Sequence, residues 1–235
     1  MGIIRVGHRG APREFPANTL RGFKRAVELG CEMVECDIRR AADGVLVLAH
    51  DPHVVDVDGH RYAIAEHPSH RLGALDLGKG EGVPTLNALT EWAAGRCAVM
   101  ADMKCEGNGV EEAVYEALGT LPPEMKIVPG AGDESRVRFR QLDPDLPLSL
   151  SISGAWPDAM SEAEFQRHLA TAGTEAVTWQ YPLLTLKRIT ALHAHGFRVF
   201  AWTVDSTDIM EELAAAGVDG IISNRPDLLA GIGNG

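Results

Sequence analysis

Three short stretches within the first fifty-two residues carry side chains that can transfer protons or bind a cation. They are Gly7-His8-Arg9-Gly10, Glu35-Cys36-Asp37 and His50-Asp51-Pro52. Histidine titrates closest to neutral pH, so His8 and His50 are candidates for an acid and a base on opposite sides of a phosphorus centre. The stretches together offer two proton-transfer groups, a cation and half of a divalent-metal site. This combination suits the cleavage of a phosphate ester.

The carboxylates of Glu35 and Asp37 are the predicted centre of the metal site. Residues two apart in a strand point to the same face, so these two share a face and Cys36 takes the other. Like charges on one face repel unless a cation or water separates them, and the apolar neighbours Met33 and Ile38 disfavour a freely solvated strand. Hard oxygen ligands of this kind suit Mg²⁺ or Ca²⁺.

Two later strand ends add further candidates. Asp102 and Lys104 lie on one face of a strand-like segment, where Asp102 is expected to complete the metal site and Lys104 to contact a phosphate oxygen. Arg9 can hold a phosphoryl oxygen through its planar guanidinium group. Trp202 is a candidate apolar wall for the carbon skeleton of a substrate. Taken singly, Asp102 and Lys104 are more typical of a surface ion pair at a strand end, and Trp202 is equally typical of core packing.

Short β-branched runs alternate with helix-like stretches, which predicts a parallel sheet covered by helices. The predicted strands are Ile3–Val6, Met33–Ile38, Val45–Ala49, Ala98–Met103, Lys126–Val128, Leu148–Ser151, Ala176–Thr178, Arg198–Trp202 and Asp219–Ile222. The predicted helices are Thr19–Leu29, Leu86–Ala94, Val110–Leu118, Ser161–Ala170, Thr185–Ala194 and Thr207–Ala215.

Nine strands suit a TIM (β/α)₈ barrel with one surplus strand that the sequence alone does not assign. A doubly wound sheet is the competing architecture, and the lack of GxGxxG after the first strand weakens its dinucleotide-binding form. The link Arg39–Gly44 is too short for a helix, so it allows either a hairpin or a parallel restart. The polar segment Asp51–Pro84 is predicted to be an insertion in a single domain, 1–235, and to overhang the site.

Composition narrows the class of partner. The chain has 235 residues and a net charge of −11, which argues against binding nucleic acid or anionic membrane surfaces. No apolar run approaches the ~20 residues of a membrane span, and no secretory signal is recognisable, so a cytoplasmic location is expected. The four cysteines form no CxxC pair and are expected to be reduced. A small phosphate-bearing molecule remains the expected partner, and the oligomeric state stays open.

In their order along the chain, these motifs resemble the glycerophosphodiester phosphodiesterase family. Members of that family carry HRG, PENT, ExD, HD, ExK and WTVN motifs and a closing GVDGI. The matching segments here are His8-Arg9-Gly10, Pro16-Ala17-Asn18-Thr19, Glu35-Cys36-Asp37, His50-Asp51, Asp102-Met103-Lys104, Trp202-Thr203-Val204-Asp205 and Gly217-Val218-Asp219-Gly220-Ile221. The resemblance covers nearly the whole chain.

The resemblance implies a phospholipase-C-like TIM barrel with its site at the C-terminal ends of the strands. It implies metal-dependent hydrolysis of a glycerophosphodiester to glycerol phosphate and an alcohol, with Mg²⁺, Ca²⁺ or Mn²⁺. It also implies a parallel restart after Arg39–Gly44, so that His50 reaches the same barrel face as the carboxylates. The implied roles are an acid/base pair, His8 and His50; metal ligands, Glu35, Asp37 and Asp102; and substrate-binding residues, Arg9, Lys104 and Trp202.

Three residues depart from the family pattern. Ala17 stands at the usual Glu position, Asp102 replaces Glu, and Asp205 replaces Asn. We expect the first two to affect the metal site and Asp205 to place a negative charge near the substrate. The Asp-x-Lys pair also resembles the sphingomyelinase D group, which forms cyclic phosphates. A non-catalytic barrel that binds phosphate ligands is the other alternative.

Overall fold

The computed structural model describes residues 2–153, 164, 165, 167, 171 and 173–232. Its strands are β1 (Ile4–His8), β2 (Met33–Arg40), β3 (Leu46–Leu48), β4 (His53–Val55), β5 (Arg61–Ala63), β6 (Ala98–Met103), β7 (Lys126–Ile127), β8 (Ser149–Ile152), β9 (Ala176–Gln180), β10 (Arg198–Trp202) and β11 (Gly220–Ser223). Its helices are α1 (Leu20–Glu28), α2 (Ser69–Gly73), α3 (Leu86–Ala93), α4 (Val110–Leu118), α5 (Asp133–Leu142), α6 (Leu186–Ala194), α7 (Thr207–Ala215) and α8 (Pro226–Leu229).

Eight of these strands form a parallel barrel. Their neighbours run in the order β7-β6-β2-β1-β11-β10-β9-β8, and every pairing along that path is parallel. A parallel bridge between Val128 and Leu148 joins the two ends of the path. Helices alternate with the strands, as expected when each strand must be followed by a crossover. The predicted TIM barrel is confirmed, and the doubly wound sheet is wrong.

The surplus strand is β3, which pairs antiparallel with β2 through Ile38 opposite Leu48 and Arg40 opposite Leu46. The parallel restart expected after Arg39–Gly44 is therefore wrong, and the link forms a hairpin. The hairpin still serves the site because β2 runs on past Asp37 to Arg40 before the chain turns. The returning chain then comes back to the level of Asp37, where the backbone N–H of Ala49 donates to the Asp37 carbonyl oxygen at 2.9 Å.

The strands bury both faces. Their outward residues, among them Val34, Cys36 and Ile38, pack against the helices in the main core. The inward residues nearer the N-terminal ends form a second apolar cluster that fills the barrel, here called the lower layer. It consists of Val6, Met33, Met100, Ile127, Ala176, Phe200 and Ile222. The barrel interior is thus closed from below, as is usual for this architecture.

The segment after β3 folds beside the barrel. The β4–β5 hairpin and α2 surround a small core in which Ile64, Leu72 and Val83 pack with Val47 and Ala49. Lysine and glutamate side chains of this segment also reach the loop before α1 and the start of that helix. In the part of the chain that the structure describes, no helix has both the length and the apolar character needed to cross a membrane.

The sequence missed α5. Its buried face includes Ser135 and Arg136 together with Phe139, so the apolar periodicity that announces a helix is weak there. The predicted helix Ser161–Ala170 lies mostly outside the described residues. Each of the other predicted helices overlaps a helix in the structure and ends within two residues of it.

Candidate active site

Strand alternation places polar side chains directly above the lower layer. His8 follows Val6 by two residues, Glu35 follows Met33, and Asp102 follows Met100, so all three point inward at the C-terminal end of the barrel. A cavity of about 310 Å³ opens there. Its lining consists of His8, Arg9, Glu35, His50, Met100, Asp102, Met103, Lys104, Pro129, Gly130, Ser151, Ser153, Thr178, Trp202 and Ile222.

Three carboxylates meet at the floor of this cavity. Glu35, Asp37 and Asp102 place oxygen atoms within 4.8 Å of one another. Glu35 is 4% exposed and Asp37 is fully buried. Burial, followed by repulsion from Asp37 and Asp102, raises the pKa of Glu35 well above its usual range. Burial also raises the pKa of Asp102, although the Lys104 ammonium opposes the shift. Ionisation of these carboxyl groups is therefore disfavoured by the fold itself.

Two cations offset part of that charge. Arg9 Nε lies 2.9 Å from Asp37 Oδ2, and Lys104 Nζ lies 2.6 Å from Asp102 Oδ2 and 3.3 Å from Asp37 Oδ1. Burial lowers the pKa of Lys104, but the attraction of Asp102 and Asp37 outweighs it and the net shift is upward. When all three carboxylates are ionised, as metal ligation requires, these two cations leave one negative charge uncompensated.

The donor set fits a divalent cation. Among the residues that the structure describes, no group donates a hydrogen bond to the buried Asp37 Oδ1, although buried oxygens normally have a donor. All the available ligands are carboxylate oxygens, the type that Mg²⁺ and Ca²⁺ prefer. Gly130 leaves room at Asp102, because a Cβ at Gly130 would lie 2.0 Å from Asp102 Oδ1. We conclude that Glu35, Asp37 and Asp102 can hold a metal ion.

The loop after β1 orients this cluster. The backbone N–H of Arg9 donates to Glu35 Oε2 at 2.9 Å. Asn18 Nδ2 donates to Asp37 Oδ2 at 2.9 Å, and Asn18 Oδ1 accepts the Asp37 backbone N–H at 3.1 Å. Sequence analysis treated Asn18 only as part of a motif and missed this contact. Ala17 is exposed and is not among the residues that line the cavity.

His8 lies at the end of β1 and is largely buried. Its Nδ1 is 2.7 Å from Asn224 Oδ1, and its Nε2 is 3.8 Å from Glu35 Oε2. Burial, reinforced by the neighbouring Arg9 guanidinium, lowers the pKa of His8 to about 4. The imidazole is therefore neutral around neutral pH in the metal-free protein.

His50 lies in a different environment. Its side chain is 44% exposed, and its Nδ1 is 2.9 Å from Asp51 Oδ1. It is close enough to Asp102 to oppose slightly the rise in the pKa of that carboxyl group that burial causes. Arg39 Nε donates to the His50 carbonyl oxygen at 2.8 Å, which anchors the loop to β2. The two histidines thus lie beside different carboxylates of the cluster, one buried and one open to solvent.

The rest of the cavity wall includes apolar side chains and hydroxyl groups. Trp202 lines the cavity as expected. On the facing strands, Ser151 Oγ lies 2.9 Å from Thr178 Oγ1 and accepts the Gly130 backbone N–H at 3.1 Å. Sequence analysis missed both hydroxyls, although strand alternation from the buried Ala176 would have pointed to Thr178.

Two further predictions concern the surroundings of the cavity. Asp205 is not among the lining residues and accepts hydrogen bonds from Ser223 and Asn224. Asn224 in turn contacts His8, so a charge of Asp205 near the substrate stays a prediction. The insertion contributes no lining residue between 52 and 84, and its apolar residues pack on Val47 and Ala49. The glycines around His8 and Arg9 also serve packing: a Cβ at Gly10 would lie 2.6 Å from the Gly22 carbonyl carbon in α1.

Comparison with known proteins places this geometry in a family. The chain is 27% identical to the YhdW protein of Bacillus subtilis over 234 residues, which cover 95% of each sequence. It is 26% identical to a glycerophosphodiester phosphodiesterase of Caldanaerobacter subterraneus over 246 residues, which cover 97% of each. The crystal structure of a glycerophosphodiester phosphodiesterase from Agrobacterium tumefaciens is similar with a TM-score of 0.80 and 25% identity, covering 98% of this chain and all of that one.

The match extends through both halves of the barrel. A sequence profile of the Glycerophosphoryl diester phosphodiesterase family matches residues 8–118 and 133–228. These ranges begin at His8 and include every residue that forms the carboxylate cluster and its two cations. With the barrel, the cluster and this match in agreement, the chain belongs to the glycerophosphoryl diester phosphodiesterase family.

Proposed function

We propose that this protein is a metal-dependent phosphodiesterase that hydrolyses a glycerophosphodiester to glycerol phosphate and an alcohol. The observation that carries the proposal is the gathering of two histidines, three carboxylates and two cations around one cavity at the C-terminal end of the barrel. The Caldanaerobacter relative, which bears the name of this activity, aligns over nearly the full length.

The carboxylates Glu35, Asp37 and Asp102 would hold one divalent cation, Mg²⁺ or Ca²⁺, with Mn²⁺ as a further candidate. When bound, such an ion neutralises phosphoryl charge and orients the nucleophile. Charge balance supports this assignment. With its three carboxylates ionised as ligands, the site carries one uncompensated negative charge and a phosphodiester adds another, so the two together need two positive charges to become neutral. Shorter than Glu, Asp102 still reaches the other two ligands because Gly130 leaves space beside it.

Arg9 and Lys104 would bind the phosphoryl oxygens. Both line the cavity, and both are held by carboxylates from below. The guanidinium group of Arg9 offers several donors in a fixed plane, which suits a phosphate with two free oxygens. Trp202 would cover the carbon skeleton of the substrate with its indole face.

His8 and His50 would move the protons. As the nucleophile's oxygen bonds to phosphorus it must lose a proton, and the leaving oxygen must gain one as its bond to phosphorus breaks. A histidine on each side of the cluster supplies both steps without a change in the total number of protons. The nucleophile is a water molecule in the hydrolytic reaction proposed here.

The test is an assay of purified protein against a panel of glycerophosphodiesters, with and without added Mg²⁺, Ca²⁺ or Mn²⁺ after chelation. We expect glycerol phosphate and free alcohol, identified by mass, and loss of turnover on chelation that one of the ions restores. Unchanged turnover after chelation would contradict the metal dependence that we propose. A cyclic phosphate, seen by phosphorus NMR, would favour the sphingomyelinase D alternative, and binding without turnover would favour the non-catalytic barrel.

A further inference from the structure

A chain of hydrogen bonds runs from Asp205 through Asn224 to His8. The Asp205 carboxylate accepts the Asn224 backbone N–H at 2.8 Å and the Asn224 side-chain Nδ2–H at 2.9 Å. It also accepts the Ser223 hydroxyl at 3.0 Å. The other side of the Asn224 amide, Oδ1, lies 2.7 Å from His8 Nδ1. Asp205 follows β10 and Asn224 follows β11, and β11 lies between β10 and β1 in the barrel.

The direction of each bond in this chain is fixed by chemistry. An ionised carboxylate can only accept hydrogen bonds, so the NH₂ side of the Asn224 amide must face Asp205. The amide oxygen is then left facing His8, and it too can only accept. His8 Nδ1 must therefore carry a hydrogen and donate it. In a neutral imidazole this leaves Nε2 without a hydrogen, on the side of the ring that faces Glu35 and the cavity.

We propose that Asp205 and Asn224 are positioning residues that hold His8 in its Nδ1–H tautomer and so make His8 Nε2 the proton acceptor of the reaction. This inference rests on the proposed phosphodiesterase function. As the nucleophile's oxygen bonds to phosphorus, its proton moves to His8 Nε2, and the imidazole then carries hydrogens on both nitrogens. As the bond to the leaving oxygen breaks, that oxygen takes a proton from His50.

The charge at position 205 is essential to this argument. In an Asp205→Asn variant, the Asn224 backbone N–H and the Ser223 hydroxyl still require an acceptor, so the new amide oxygen stays on their side. Its NH₂ group then faces the Asn224 side chain, which has to turn its own oxygen toward position 205. Asn224 now presents its NH₂ group to His8, and His8 must accept at Nδ1 and carry its hydrogen on Nε2. The single substitution thus inverts the tautomer with hardly any change in shape.

Exchanging both residues restores the original direction. In the double variant Asp205→Asn with Asn224→Asp, the amide at 205 donates to the carboxylate at 224. That carboxylate can only accept, so His8 donates from Nδ1 again. Every hydrogen bond of the wild-type chain has a counterpart in the double variant. A merely structural role for Asp205 predicts no such restoration of the tautomer.

The experiment measures ¹⁵N chemical shifts of the imidazole nitrogens, with the His8 signals assigned by their loss in His8→Gln. Spectra are taken at about pH 8, where an ordinary histidine is neutral. We expect the Nδ1–H tautomer in the wild type and the double variant and the Nε2–H tautomer in Asp205→Asn. Turnover of the diester that the wild type cleaves fastest should fall roughly 10²- to 10⁴-fold in Asp205→Asn, the range contributed by a general base. KM should stay within about threefold, and the double variant should recover to within about tenfold of the wild type.

A matched control is Asp219→Asn. Asp219 also pairs with a histidine, His193, and accepts the Val199 backbone N–H, but it lies before β11 and away from the cavity. The turnover of Asp219→Asn should stay near that of the wild type.

A wild-type Nε2–H tautomer, or an Asp205→Asn spectrum like that of the wild type, would overturn the inference. Reduced turnover in both Asp205 variants with an unchanged tautomer would overturn it as well. The spectra need no substrate, so an inactive wild type would refute the proposed function and leave the tautomer result standing. If Asp205→Asn does not fold, the spectra of the wild type and the double variant still test the inference.

Discussion

The lower layer of the barrel interior is apolar. The layer directly above it on the same strands, here called the upper layer, is polar and charged. Val6, Met33, Met100 and Phe200 are buried apolar side chains that pack on one another. Further along those strands, toward their C-terminal ends, the side chains include the buried carboxylates of Glu35 and Asp37. There the pKa of Glu35 is raised by burial and repulsion, and Asp37 Oδ1 accepts no hydrogen bond among the described residues.

The difference between the layers shows that the lower layer stabilises the barrel and that the upper layer destabilises it. Apolar burial stabilises by about 25 cal/mol per Å² removed from water. Buried like charges destabilise, and they persist because the packed layer below and the strand pairing around them hold them together. The upper layer can therefore keep ligands and proton carriers in place before metal and substrate arrive. Substitutions in the two layers should separate activity from stability.

The largest effect should follow from His50→Ala, which removes a proton donor from the exposed side of the site. For a substrate with an alkyl leaving group, we expect turnover to fall roughly 10²- to 10⁴-fold. For a glycerol phosphate ester of para-nitrophenol the loss should be far smaller, because that leaving group departs without a proton. The free energy of unfolding should change by less than about 0.5 kcal/mol, since the His50 side chain is nearly half exposed.

The control for this variant is His70→Ala, a change at an exposed histidine of α2 that does not line the cavity. Its turnover of both substrates should match the wild type. Equal losses with both leaving groups in His50→Ala would contradict the assignment of His50 as the proton donor.

In the lower layer, Phe200→Ala should act on stability. Phe200 is fully buried and tightly packed, since a Cβ at Gly220 would lie 2.5 Å from its ring. We expect a loss of about 3–5 kcal/mol in the free energy of unfolding, measured by urea denaturation. Phe200→Leu should lose less, and Val57→Ala, at an exposed position, less than about 0.5 kcal/mol. A loss under about 1 kcal/mol for Phe200→Ala would show that the lower layer is not the stabilising part of the interior.

The smallest effect on the free energy of unfolding should come from Glu35→Gln, and here we expect stability to be gained where Phe200→Ala loses it. In metal-free protein, Glu35 must either stay ionised in a buried site or take up a proton on folding. Glu35→Gln removes that cost while an amide oxygen remains to accept the Arg9 N–H, so we expect about 0.5–2 kcal/mol of added stability. The pKa of Glu35 is raised in the folded state. Its contribution to the free energy of unfolding is therefore fully present below the unfolded pKa of about 4.3 and is lost as the pH rises through the folded value. The advantage of the variant should therefore shrink in acid.

Thermal unfolding of chelated protein across pH measures this effect, and Glu91→Gln on the exposed surface of α3 is the matched control. Added metal should raise the unfolding temperature of the wild type more than that of Glu35→Gln. A metal-free Glu35→Gln protein that is less stable than the wild type at neutral pH would show that the upper layer does not carry the cost inferred here.

Much of this arrangement follows from local patterns. The alternation of strands and helices predicted the barrel, and the two-residue period of a strand predicted that Glu35 and Asp37 share a face. Asp102 and Lys104 were found in the same way. Patterns failed where polar residues replace apolar ones on a buried face, as in α5 and at Thr178. A polar side chain at such a position looks like a surface residue until the strands around it are in place.

The sequence by itself determined which side chains point into the barrel, because alternation is a local property of each strand. Only the tertiary structure decided how β3 returns and which groups Asp205 binds. Both depend on where the chain turns after a strand ends, and the parallel restart expected for β3 was wrong. The tertiary structure also brought Asn18 to Asp37 and Asn224 to His8. These contacts join distant segments, and hydrogen bonds of this kind form only once the barrel closes and sets the distance between neighbouring strand ends.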